Sequence, residues 1–123
     1  MEPTWRVLLV DPIVDDREYQ ALVLRSAGIE VLPATDDAFH AALTARPDAI
    51  VVDVSPKRVG AAEFVRSLKD DPRISRIPVV VVSSYPRSDL PRTEGFVGKP
   101  CSPERILGEL LRVVRAYAAP GQR

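Results

Sequence analysis

The sequence is poor in the residues that usually announce chemistry. It has one cysteine, one histidine, one tryptophan and six scattered glycines. A single cysteine excludes an internal disulfide and makes a reducing compartment, the cytoplasm, the expectation. Six dispersed glycines form no Gly-rich loop of the kind that cradles phosphates. Charge of one sign is also lacking: 17 Lys and Arg balance 17 Asp and Glu. No single-sign field therefore draws the chain to nucleic acid or to a membrane surface. No apolar run approaches the ~20 residues of a transmembrane helix. Met1-Glu2-Pro3 is not the basic start of a signal peptide. No nucleophile–base pair or cofactor loop stands out, so an enzyme is not expected. Repeats and low-complexity tracts are absent, and 123 residues at 46% hydrophobic fit one domain.

What is present is a set of short apolar runs, each ending at a reactive side chain. Val7-Leu8-Leu9-Val10 stops at Asp11, and Ala49-Ile50-Val51-Val52 stops at Asp53. Val79-Val80-Val81-Val82 stops at Ser83, and Phe96-Val97-Gly98 stops at Lys99-Pro100. Unbroken β-branched runs of this length read as parallel strands buried on both faces. In an open α/β sheet, ligands bind beyond the carboxyl ends of the strands. Two carboxylates, a hydroxyl and an ammonium are thereby expected in one depression, with Lys99 within salt-bridge reach of Asp53. Such a set suits a phosphoryl group and its counter-cation.

The runs alternate with helical patterns. Strands are expected near 5–11, 29–33, 48–53, 78–83 and 95–98, and helices near 15–27, 36–45, 60–70 and 102–118. Asp15 and Asp16 read as caps of the first helix, which closes at Gly28. Thr35-Asp36-Asp37 opens the second, which ends before Pro47. Ser102-Pro103 opens the last, whose Ile106, Leu110, Val113 and Tyr117 recur at helical spacing. Strand–helix alternation implies a parallel sheet with right-handed crossovers. Between Ser84 and Phe96, Pro86, Pro91 and Gly95 leave room for about one helical turn. The domain is expected over 1–118, with 119–123 an unstructured tail.

In their order and placement these motifs resemble the receiver domain of bacterial two-component response regulators, from Arg6 to about Arg115. The stretches that carry the resemblance are Val7 to Asp11, Arg46-Pro47-Asp48 to Asp53, Asp71-Pro72-Arg73, Ile77-Pro78 to Ser84, and Lys99-Pro100. The resemblance implies a CheY-like (flavodoxin-like) doubly wound sheet in order 2-1-3-4-5, from which this chain departs in having the helix before the fifth strand, the family's fourth helix, shortened or missing. It implies a histidine kinase or phosphotransfer protein as partner, and Asp53 as the phosphoacceptor. It makes Ser83 the hydroxyl that bonds the phosphoryl group and Lys99 its ion-pair partner. Asp11, Asp53 and the Ser55 carbonyl would hold magnesium. Phe96 would be the aromatic that turns inward on activation, with Ser83 as its switch partner. The Lys99-Pro100 bond would be cis.

Two departures point the other way. The family's second acid after the first strand is replaced by Pro12, which offers no carboxylate. The family's proline after the acceptor arrives one residue early, at Pro56, which puts the Ser55 carbonyl in question. Asp15 and Asp16, as helix caps, should point elsewhere. Magnesium binding is therefore expected to be weak or absent. The alternative function is a degenerate receiver acting as a phosphorylation-independent interaction module. The loss of the fourth helix suggests an exposed patch of Leu90, Phe96, Leu107 and Leu111, and a homodimer through the last helix. His40 reads as a surface residue, and Cys101 as a small core filler.

Overall fold

A computed structural model describes residues 4–34 and 37–118. The expected helix start at Thr35-Asp36 and the tail 119–123 lie outside them. Five strands, β1 (Arg6–Val10), β2 (Glu30–Ala34), β3 (Ala49–Val54), β4 (Val79–Ser83) and β5 (Gly95–Gly98), alternate with helices. The helices are α1 (Val14–Ser26), α2 (Ala38–Ala45), α3 (Ala61–Asp70) and α4 (Pro103–Tyr117). All four strand pairs are parallel, in the order β2-β1-β3-β4-β5. This is the doubly wound architecture expected from the apolar runs.

β3 and β4 are buried along their whole length, and β1 at its three central residues. Side chains alternate between two cores. Val7, Leu9, Val51, Val80 and Val82 pack toward α1 and α4 with Leu24, Leu110 and Val113. Leu8, Ile50, Val52, Val54, Val79 and Val81 pack toward α2 and α3 with Val65 and Leu68. Each fully buried Val, Leu or Ile contributes about 1.5–3 kcal/mol. The sheet is thus clamped from both faces, and its carboxyl edge is fixed.

The helix ends follow local chemistry, with one correction. Asp37 accepts the His40 N–H at 2.9 Å and caps α2, and Ser102 caps α4 with Pro103 in its first turn. α1 is not capped by Asp15 or Asp16. Its N-cap is Ile13, without a side-chain bond, and the two acids lie in the first turn. That position still favours the helix dipole, and it frees Asp16 to reach elsewhere. His40 is exposed, as expected.

Between β4 and β5 there is only a short 3-10 turn, Arg87–Asp89. The exposed patch expected beside it does not form. Leu90 and Phe96 are partly buried against the α2/α3 core, whereas Leu107 and Leu111 pack into the α1/α4 core. The four side chains belong to opposite faces of the sheet, so no continuous surface joins them. Tyr117, read as part of the inner stripe of α4, is instead exposed. The β5 edge is covered by charged groups. Arg87 lies over the Phe96 ring at 5.8 Å, and Glu109 accepts the Phe96 N–H at 3.0 Å. Lys69 pairs with Glu94, which also accepts the Val79 N–H.

Gly95 is the close approach that lets α4 sit on β5. A Cβ there would lie 2.8 Å from Val113 Cγ2 and 3.0 Å from Val80 Cγ2. Gly95→Ala is expected to cost about 1–3 kcal/mol by overpacking, measured by urea denaturation. An unchanged midpoint would show that α4 shifts without penalty.

Candidate functional site

Strand phase brings the first carboxylate into place. Asp53 follows Val51 at a spacing of two, so it projects to the same side, where α1 and the start of α4 stand. It is only 2% exposed. Lys99, just past β5, donates its backbone N–H to the Ser83 carbonyl at 2.7 Å. Its Nζ lies 2.6 Å from Asp53 Oδ1. The Lys99-Pro100 bond is cis. Asp53 and Lys99 together line a cavity of about 540 Å³ with Asp16, Gln20, Ser84 and Cys101. Gln20 Nε2 donates to Asp53 Oδ2 at 3.4 Å, and Gln20 Oε1 is buried without a partner. Burial pushes the Cys101 thiol up, which suits a filler rather than a reactive thiolate.

The second carboxylate is claimed by an arginine. Asp11 is fully buried and meets the Arg58 fork, with Nε to Oδ1 at 2.8 Å and Nη2 to Oδ2 at 2.9 Å. Arg58 Nη2 also donates to Asp16 Oδ2 at 2.9 Å, and Nη1 to Ser55 Oγ at 2.8 Å. Its Nε stands 3.3 Å from Asp53 Oδ1. Arg58 is itself 5% exposed. A bidentate, charge-assisted fork of this kind is among the strongest polar contacts a protein makes.

The other expected site residues are placed differently. Asp11 Oδ1 also accepts the Ile13 N–H at 3.0 Å, so the carboxylate closes its own loop. It lies beneath Arg58 and does not line the cavity beside Lys99. Ser83 is buried, and both hydroxyl bonds run to Tyr85: it accepts the N–H at 2.7 Å and donates to the carbonyl at 3.0 Å. Ser84 lines the cavity in its stead. The Ser55 carbonyl accepts the Arg58 N–H at 2.9 Å. Phe96 is half-buried under Arg87. The expectation of four groups in one depression thus holds for Asp53 and Lys99 alone. Reading the sequence missed Arg58, Asp16 and Gln20. Asp16 was expected to point away as a cap, yet it turns to Arg58. The signal for Arg58 was indirect: Pro12 removes an acid, and a cation stands five residues after Asp53 in a shortened loop.

The Asp53 carboxyl is held above the usual aspartate range. Burial is the largest cause, opposed by the Lys99 hydrogen bond and charge and by Arg58. The Arg58 guanidinium is pushed up, first by its hydrogen bond to Asp11.

No protein-family model matches the chain. Two characterised relatives do. The phosphate regulon transcriptional regulatory protein PhoB of Pseudomonas aeruginosa is 28% identical over 117 residues, covering 89% of this chain and 51% of PhoB. The polar-differentiation response regulator DivK of Brucella anthropi is 29% identical over 107 residues, covering 77% of this chain and 87% of DivK. The chain therefore spans about half the length of PhoB. Among solved structures, the chemotaxis response regulator CheY4 of Vibrio cholerae superposes with a TM-score of 0.75 at 29% identity, covering 90% of this chain and 99% of CheY4. In sequence and in fold the chain is thus similar to the receiver domains of response regulators.

The Asp53 shift gives a test. Unfolded, the group titrates near pH ~4; folded, it keeps its proton to higher pH. The folded state binds more protons over that interval, so stability falls as pH rises through it. Above the interval the full penalty remains. Asp53→Asn is therefore expected to raise Tm at pH 7, with the gain shrinking below about pH 4. A lower Tm at pH 7 would show that the Lys99 pair outweighs burial.

Proposed function

We propose that this receiver domain serves two-component signalling by accepting a phosphoryl group on Asp53 from a histidine kinase or phosphotransfer protein. The observation that carries this reading is the Lys99–Asp53 pair at the carboxyl ends of the parallel strands, 2.6 Å apart beside an open cavity. Asp53 Oδ1 is engaged by Lys99, while Oδ2 has only the long Gln20 contact. Oδ2 is the oxygen free to attack. A bond forms from it to phosphorus as the donor's phosphorus–nitrogen bond breaks, and the donor imidazole departs with a proton. Lys99 offsets the charge that the transfer brings in. In this reading the domain is the kinase's substrate rather than an enzyme.

A divalent cation ordinarily neutralises charge and sets in-line geometry for phosphoryl transfer. The donor set here does not fit one. Both Asp11 oxygens bond Arg58, Pro12 has no side-chain ligand atom, and the Ser55 carbonyl is engaged by the Arg58 N–H. Among the described residues no three Asp, Glu, His or Cys side chains gather as a ligand group. That arrangement favours a second reading, a phosphorylation-independent interaction module. Tyr19, Val59 and Tyr85 are exposed on the cavities at this edge and give such a module apolar contacts.

Labelling with acetyl phosphate, followed by intact mass, separates the two. The first reading expects slow, substoichiometric phosphorylation that disappears in Asp53→Asn. Complete absence of label in the wild type supports the interaction module. Rapid stoichiometric labelling would show that the arginine-filled site is no impediment.

A further inference from the structure

We infer that Arg58 is a tethered cation that takes the place of a divalent metal among the site carboxylates and makes the domain independent of magnesium. The inference rests on the receiver reading of the site and deepens it. Four of the five guanidinium N–H groups are spent within the cluster, two on Asp11, one on Asp16 and one on Ser55. The same group stands between the buried Asp11 and Asp53, contacting the first at 2.8 Å and the second at 3.3 Å. A bridge between two buried carboxylates is what a divalent cation would provide, and here it is part of the chain.

The loop is built to deliver it. Arg58 donates its backbone N–H to the Ser55 carbonyl and accepts the Ala61 N–H, a tight turn that folds the side chain back over β3. Gly60, at φ +82°, lets the chain leave that turn directly into α3. Turning Arg58 inward leaves its neighbour Val59 97% exposed, an arrangement that apolar burial alone would not select. Pro12 completes the exchange, since it offers no carboxylate that would be left unpaired. A metal entering this site must first displace the fork from Asp11, and it finds no acid at Pro12 to compensate.

The test uses the full 123-residue chain with two probes, magnesium in thermal denaturation and Mn2+ binding read by paramagnetic broadening of the Asp11 and Asp53 amide signals. For the wild type, Tm is expected to stay the same with and without millimolar magnesium, and Mn2+ to leave both amides sharp. The double variant Pro12→Asp plus Arg58→Ala restores an acid and removes the cation. It should melt lower than wild type without metal and regain Tm with magnesium. Its Mn2+ affinity should exceed that of wild type by more than about tenfold. Arg58→Lys should remain largely insensitive to metal. If the double variant does not fold, the wild-type titration still decides: a Tm that climbs with magnesium, or broadening at Asp53, overturns the inference. Acetyl phosphate labelling of the double variant is scored separately. A variant that binds metal yet takes no label on Asp53 counts against the phosphoacceptor reading and leaves the role of Arg58 intact. A wild type that binds Mn2+ at Asp53 removes the role of Arg58 and leaves the receiver reading intact.

Discussion

Two carboxylates buried side by side are the constraint around which this domain is arranged. Asp11 directly follows β1 and Asp53 lies near the end of β3, adjacent strands in the middle of the sheet. Both are almost wholly out of water. An unpaired buried charge is too costly to persist, so such groups neutralise, pair or coordinate metal. Here they pair, Asp53 with Lys99 and Asp11 with Arg58, which also touches Asp53. The pairing fixes the loop after β3, the segment after β5 and the first turn of α1 through Asp16. Three separate connections are thus held by one cluster of charges. Even so, burial wins at Asp53, whose carboxyl remains above its ordinary range with two cations beside it.

The fold was legible because the core is repetitive. Val79 to Val82 and Ala49 to Val52 show no alternation, and only a strand covered on both faces tolerates that. Their carboxyl ends then located Asp53 and, by the same logic, Lys99. Arg58 was not legible in this way. A loop arginine belongs to no periodic pattern, and it is one of 17 cationic side chains. Its partners are chosen by the turn from Ser55 to Gly60, a geometry that residue spacing does not state. Asp16 was misread for a related reason: an acid in the first turn of a helix satisfies the dipole wherever its side chain points, so its position did not reveal its partner.

The β5 edge shows the same substitution of charge for covering structure. Without a full helix between β4 and β5, the segment before β5 is held by Lys69 and Glu94, by Glu109 on the Phe96 N–H, and by Arg112 on the Glu94 carbonyl. Arg87 over Phe96 shields the ring that was expected to be bare. Leu107 and Leu111, a second apolar row on α4, read first as a wide core face, although the loop before β5 also suggested that they could lie in an exposed patch. That width is used, since α4 packs on β3, β4 and β5 and on α1. A helix spanning several strands needs more than a narrow stripe, so its second row of leucines belongs to the core.

Core and site are therefore separable in this chain, which superposes on CheY4 with a TM-score of 0.75 while it holds a buried arginine among its site carboxylates. The sheet depends on apolar side chains that face α1 and α4 or α2 and α3, and none of those positions is a charged group of the site. The site, for its part, requires only that its carboxylates be neutralised. A divalent metal ion carries two charges and an arginine fork one, so here Arg58 and Lys99 share the task, and the two solutions differ in what can be exchanged. A metal leaves and returns with solution conditions, whereas a side chain is present at a fixed stoichiometry and leaves only if its loop moves. Likeness of fold carries no information about which of the two a chain uses, because function resides in the site and not in the scaffold. For this domain the deciding atoms are the three nitrogens of Arg58 and the oxygens that they hold.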